Sequence, residues 1–250
     1  MPAPSSTVPV VLLHGQPGGR RGWQRVMDEL GSGFAVVADD RPGYGASSSL
    51  GPMGLAGNAD AVLARLDLLG VESAVVVGHS WGGGVALALA ERHPERVSGL
   101  VLLASIGPGA VTPVDRVMAA PLLGELMAWS AFGLGGPVVR AWLQRADLLD
   151  VTVGSTPGAP LWRTFLAEQR AMVNELPAVV AELDSIRAPT IVVNGDADRV
   201  VGLPVARALA DAIPGAELQV VAGAGHALPW RSPDAVAAAI TTAFVRSTRP

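Results

Sequence analysis

Six short runs rich in valine and leucine constrain this chain more than any other feature: Val8 to Leu13, Phe34 to Ala38, Ala74 to Val77, Leu100 to Ala104, Thr190 to Val193 and Glu217 to Val221. Runs of this kind, bounded by glycine, proline or polar residues, read as strands buried on both faces of a parallel sheet. Between them lie segments of helical spacing, Gly54 to Leu69, Trp81 to His93, Leu203 to Ala212 and Pro233 to Val245. The last has Ser232 placed as an N-cap and Pro233 at its first helical position, where a missing N–H costs nothing. Alternation of strand and helix calls for an α/β fold with a doubly wound, mostly parallel sheet. A chain of 250 residues can build it as one unit, burying roughly 70% of its unfolded surface.

The alternation breaks once. From about Gly107 to Ser185 the strand signals vanish, and helix-compatible segments are separated by GLGG and GSTPGAP. This predicts a helical cap inserted over 107–185, between a first core part, 1–106, and a second, 186–250. The insertion holds three of the six tryptophans, Trp129, Trp142 and Trp162, together with Phe132 and Phe165. These rings supply a core for the insertion, and the three tryptophans are candidates to line an apolar substrate pocket.

The chemistry centres on GHSWGG, Gly78 to Gly83, where the strand AVVV meets the helix WGGGVALALAERH. It satisfies the GxSxG pattern through Gly78, Ser80 and Gly82 in the strand-turn-helix setting that the pattern needs. A serine held on such a turn requires small neighbours, and the helix N-terminus favours developing negative charge. Ser80 is a weak nucleophile until a base takes its proton. Of the four histidines, His14 precedes a glycine at a strand end, His79 adjoins the serine and points away from it, and His93 ends a surface helix. His226 remains, in GAGHALP just after the last strand, at the carboxyl edge where α/β sites assemble. The histidine needs an acid to fix its tautomer. Asp196 and Asp198 both stand in NGDADRVV after the fifth strand, whereas the end of the fourth offers only Ser105 and Ile106.

Composition narrows the rest. There is no cysteine, and all eighteen basic residues are arginine, which removes thiol catalysis, thiolate metal sites, Schiff-base lysines and the P-loop lysine. A net charge of −4 with 16% charged residues offers no electrostatic grip on nucleic acid or anionic lipid, and a small-molecule substrate is the expected partner. The longest apolar stretches are interrupted well short of the roughly 20 residues a membrane helix needs. The N-terminal MPAPSSTVPVVLLHG reads as the approach to a core strand, with a cytoplasmic location as the default expectation. The chemistry implied needs no metal or organic cofactor.

With the motifs HGQPG, DRPGYGAS, GHSWGG, GDAD and GAGH in this order, the chain resembles the α/β-hydrolase superfamily over nearly its whole length. The resemblance implies a Ser80, Asp198, His226 triad, with Asp196 left to structure its loop. It also implies an oxyanion hole built from the backbone amides of Gln16 and Trp81, and a structural role for His14. The first strand begins near residue 8, so the chain is similar to the shorter members with a six-stranded sheet. Serine at position 80 points away from the haloalkane dehalogenases and epoxide hydrolases, which use aspartate there, and the absence of lysine points away from plant-type hydroxynitrile lyases. The expected reaction is hydrolysis of an ester or related acyl compound through an acyl-serine. The same triad would serve an amide or peptide in the manner of proline iminopeptidases, a lactone, a carbon–carbon bond in a diketone, or perhydrolysis. A non-hydrolytic catalyst or ligand-binding member of the fold is the alternative from another class.

Overall fold

A computed structural model, described over residues 8–130 and 161–248, contains one six-stranded parallel sheet in the order β2-β1-β3-β4-β5-β6. The strands are β1 (Val10–Leu13), β2 (Val36–Ala38), β3 (Ala74–His79), β4 (Val97–Leu103), β5 (Thr190–Gly195) and β6 (Glu217–Val221). Helices are α1 (Gln24–Leu30), α2 (Leu55–Leu68), α3 (Trp81–Arg92), α4 (Pro113–Ala119), α5 (Leu123–Trp129), α6 (Leu161–Ala181), α7 (Leu203–Ala212), α8 (Leu228–Arg231) and α9 (Pro233–Ser247).

Successive side chains of a strand face opposite sides, and the central strands are apolar toward both. Val10, Leu12, Val75, Val77, Val101, Leu103, Ile191 and Val193 form a core with α1 and α9 through Val26, Leu30, Val236, Ile240 and Phe244. The alternate residues Val11, Leu13, Val76, Leu100, Leu102 and Val192 pack on the other side with α2, α3 and α7. Each leucine buried in these layers stabilises the fold by about 2 kcal/mol. The edges β2 and β6 are only half-buried, since each has one neighbour.

The order of strands decides where a site can form. From β1 the chain moves outward to β2, then crosses back to β3 on the other side of β1, which leaves a crevice above the carboxyl ends of β1 and β3. Among the described residues, the stretch between β4 and β5, where the strand periodicity breaks, carries α4, α5 and α6. Arg170 ties α6 to its neighbours, donating from Nε to the Ala119 carbonyl at 3.0 Å and from a terminal nitrogen to Glu125 at 2.6 Å. Glu175 ties α6 to the sheet layer by accepting from the Ala56 N–H in the first turn of α2 at 3.1 Å. Among the described residues no helix is long and apolar enough to cross a membrane.

Several local expectations shift. Helix α1, seven residues carrying only Val26, Met27 and Leu30 as large apolar groups, has too weak a periodicity to be read from sequence. Strand β3 runs on through Gly78 and His79 to the serine itself. Ser232 holds the N-cap position of α9, but its side chain makes no capping hydrogen bond, and its carbonyl alone receives Val236 N–H. Trp142 and Phe132 lie outside the described residues.

Candidate active site

Ser80 stands between β3 and α3 with φ 55° and ψ −120°, a conformation strained for any residue with a side chain. The strain is held by packing that leaves no room for alternatives. A Cβ on Gly78 would lie 2.4 Å from the Gly82 carbonyl oxygen, and one on Gly82 would lie 2.4 Å from that of Leu13. The two flanking glycines are thus required by backbone passing against backbone. Ser80 N–H donates to Leu103 O at 2.9 Å, fixing the turn to the end of β4.

From this turn a chain of side chains runs outward. Ser80 Oγ donates to His226 Nε2 at 3.0 Å, and His226 Nδ1–H donates to Asp198 Oδ2 at 2.9 Å. The other carboxylate oxygen of Asp198 accepts the N–H groups of Val200 and Val201 at 2.8 and 3.0 Å, so a buried acid is fully partnered on both sides. Asp196 faces elsewhere: its Oδ1 accepts Gly223 N–H at 2.7 Å and pins the loop that leads to His226. Ser105, at the end of β4, turns its hydroxyl to the Ile106 carbonyl.

Beside the serine, the amide of Trp81 lies in the first turn of α3, where N–H groups have no intrahelical acceptor. The amide of Gln16 follows β1 in the same crevice and donates to no backbone acceptor among the described residues. Ser80, His226, Gln16 and Trp81 all open onto a cleft of about 790 Å³. Its described walls include Ile106, Met118, Met127, Phe165, Met172 and Val201, with Asp115 near Thr112. Trp129 is 45% exposed and Trp162 half-buried, and neither is among the described lining residues. The expected aromatic wall is carried there by Phe165, with methionines in place of tryptophans. Among the described residues no group of three or more histidine, aspartate or glutamate side chains could hold a metal.

Two features escape the sequence reading. His79 is tied to the triad histidine: its ring lies 5.0 Å from that of His226, and its Nε2–H donates to the His226 carbonyl at 2.9 Å. Burial, aided by the nearby His226, pushes its pKa down to about 3, which keeps it a neutral donor. The second is a buried cluster around Arg41. Its guanidinium pairs with Glu168 of α6, donates to the carbonyls of His14 at 2.8 Å and Gly15 at 3.0 Å, and lies 4.5 Å from the Trp81 ring. Tyr44 also donates to Glu168. Burial pushes the Glu168 carboxyl up, against the pull of Arg41 and Tyr44. His14 accepts Arg41 N–H at Nε2 and donates from Nδ1 to Gly15 O, and burial, with Arg41 beside it, holds its pKa well below the usual value. Arg41 and Tyr44 stand within the DRPGYG motif, whereas nothing local marks Glu168.

The sequence profile of the alpha/beta hydrolase family matches residues 10–239. The chain is similar to 2-hydroxymuconate semialdehyde hydrolase of Pseudomonas sp. (strain CF600), at 32% identity over 87% of this chain and 80% of that protein. Among solved structures it is similar to a thermophilic esterase from Thermogutta terrifontis, with a TM-score of 0.75 and 26% identity over 98% of this chain and 92% of the other. It is also similar to an N-acyl homoserine lactone degrading enzyme, with a TM-score of 0.70 and 28% identity over 98% and 94% of the two chains.

Proposed function

This chain belongs to the alpha/beta hydrolase family, and from that premise we propose that it is a serine hydrolase that cleaves an ester or related acyl compound bearing apolar groups. The observation that carries the reading is the unbroken hydrogen-bond chain from Ser80 through His226 to Asp198, opening onto a cleft that Gln16 and Trp81 also line.

In this reading Ser80 Oγ attacks the substrate carbonyl as its proton passes to His226 Nε2. Negative charge grows on the carbonyl oxygen, where the Gln16 and Trp81 N–H groups receive it, and removing one such donor costs on the order of 10²- to 10³-fold in rate. Collapse of the tetrahedral species gives the acyl-serine, and the leaving group departs with the proton from His226. Water, deprotonated by the same histidine, then releases the acid. Asp198 holds the imidazole in the tautomer that accepts from serine and stabilises its charged form. The apolar walls of the cleft favour uncharged acyl groups, since a charge buried among them without a partner is costly.

The likeness to the semialdehyde hydrolase favours a second reading, in which the same groups cleave a carbon–carbon bond next to a carbonyl. A panel of p-nitrophenyl esters of increasing chain length, run beside a lactone and a vinylogous diketone, separates the two. Ser80→Ala should abolish turnover and fluorophosphonate labelling while circular dichroism stays unchanged. Retained turnover above about a thousandth of the parent activity would remove Ser80 from the nucleophile's place.

A further inference from the structure

The two residues whose amides form the proposed oxyanion hole follow different strands, Gln16 after β1 and Trp81 after β3, yet both end on the same turn of α6. Gln16 Nε2 donates to the Phe165 carbonyl at 2.8 Å, and its Oε1 accepts from Gln169 Nε2 at 3.3 Å. Trp81 Nε1 donates to the Glu168 carbonyl at 3.2 Å. From the same turn the Glu168 carboxylate holds Arg41, and Arg41 holds the carbonyls of His14 and Gly15, the two residues that lead directly into Gln16.

Resting on the reading of Gln16 and Trp81 as oxyanion donors, we propose that Glu168 is a positioning residue. Through Arg41 it fixes the His14–Gly15–Gln16 turn, and through its own carbonyl it fixes Trp81, so that one helix outside the sheet sets both donors at once. The guanidinium is planar, with donors in a fixed fork. Caught between a carboxylate on one side and two carbonyls on the other, it cannot rotate without giving up a charge-assisted bond in a site closed to water. A purely stabilising role does not account for this arrangement. Buried ion pairs are often replaceable by apolar groups at no loss, and nothing in such a role requires the contacts to converge on Gln16 and Trp81. Oxyanion hydrogen bonds do require placement to within a fraction of an ångström, and misplacement by about 1 Å costs about a hundredfold.

The test uses the full chain with p-nitrophenyl butyrate, rates expressed per active site titrated with a fluorophosphonate, and the acyl-enzyme carbonyl stretch followed by isotope-edited infrared spectroscopy. Glu168→Gln keeps the volume and removes the charge. It should lower kcat by about tenfold to a hundredfold, change KM little, and move the carbonyl stretch to higher wavenumber as the oxyanion bonds slacken. Trp81→Phe keeps the backbone amide and removes the indole N–H together with the ring that carries it, including its face toward Arg41, and should move both readouts the same way by less. The proposal is overturned if Glu168→Gln loses stability but keeps kcat per titrated site, or if KM rises at constant kcat, which would make this turn a substrate wall. Should Glu168→Gln fail to fold, an unchanged kcat and carbonyl stretch in Trp81→Phe overturns it. A Ser80→Ala protein that still turns over ester refutes the functional reading itself, whereas an inert Ser80→Ala beside a fully active Glu168→Gln refutes the positioning role alone.

Discussion

Helices α3 and α4 follow neighbouring strands of one sheet, yet they are packed in opposite ways. Every residue of α3 from Trp81 to Ala90 is buried, whereas α4 buries none and α5 buries only Gly124 and Ala128. Where backbone presses on backbone, as around Ser80, residue identity follows from geometry and leaves a motif. Where side chains stand over a cleft or face solvent, many sequences satisfy the same helix. The first kind of region holds the chemistry constant while the second is free to change what is bound.

The sharpest cut through this contrast lies within the packed edge. Asp198→Asn should lower kcat by about 10⁴-fold, the scale for losing an orienting carboxylate. Asp196→Asn, whose partner is the Gly223 N–H, should lower it by less than about tenfold. Ester turnover per titrated site ranks them, and the reverse order would move the acid to Asp196.

Stability should divide the two regions as well. Gly82→Ala drives a methyl against the carbonyl oxygens of Leu13 and His14 and should cost about 3 kcal/mol or more in urea unfolding. Leu126→Ser on α5, at a site 60% exposed, should change stability by less than about 0.5 kcal/mol. A tolerated Gly82→Ala would mean that packing does not hold the turn.

Acid should act on the packed edge first. His79 and His14 stay neutral in the fold to about pH 3 and to well below 6.5, respectively, while in the unfolded chain they protonate near 6.5. Because the unfolded state takes up these protons first, stability falls as pH drops below 6.5, by up to about 1.4 kcal/mol per pH unit for each histidine. Urea unfolding between pH 7 and 4 should show a shallower decline in His79→Gln. Identical slopes would assign the loss to other groups.

The smallest effect tests the open wall. Phe165→Ala should alter chain-length preference among esters by roughly tenfold, while Trp129→Ala leaves it unchanged. If Trp129→Ala moves the preference instead, the cleft extends over α5 in a way the described lining does not include.

What could be read from the chain divides along the same line. The strands, the serine turn and His226 were legible because burial on both faces and a crowded turn restrict residue type at fixed spacing. Asp196 and Asp198 are equal by that standard, since two aspartates two residues apart on one loop differ only in where the loop points them. Glu168 carried no signal: its partner Arg41 is 127 residues away, and a glutamate on a helix of mixed polarity reads as a solvated face. Nothing local marks the bond of His79 to the His226 carbonyl, because it depends on how two loops meet. Aromatic density locates hydrophobic mass but not the side on which it lies, so the cleft is lined by Phe165 while Trp129 is 45% exposed.

The buried pair between Arg41 and Glu168 also bears on how such a protein could be recombined. A designer wishing to transplant the helices between β4 and β5 from a relative would treat them as an exchangeable module joined at two loops. Here the graft would have to bring a carboxylate to the place of Glu168, or a guanidinium would be stranded in the interior at a cost of about 3–5 kcal/mol. Changing Arg41 to an apolar residue in the same step would remove that penalty. It would also release the His14–Gly15 turn, so a chimera repaired in this way should fold well and express well while hydrolysing poorly.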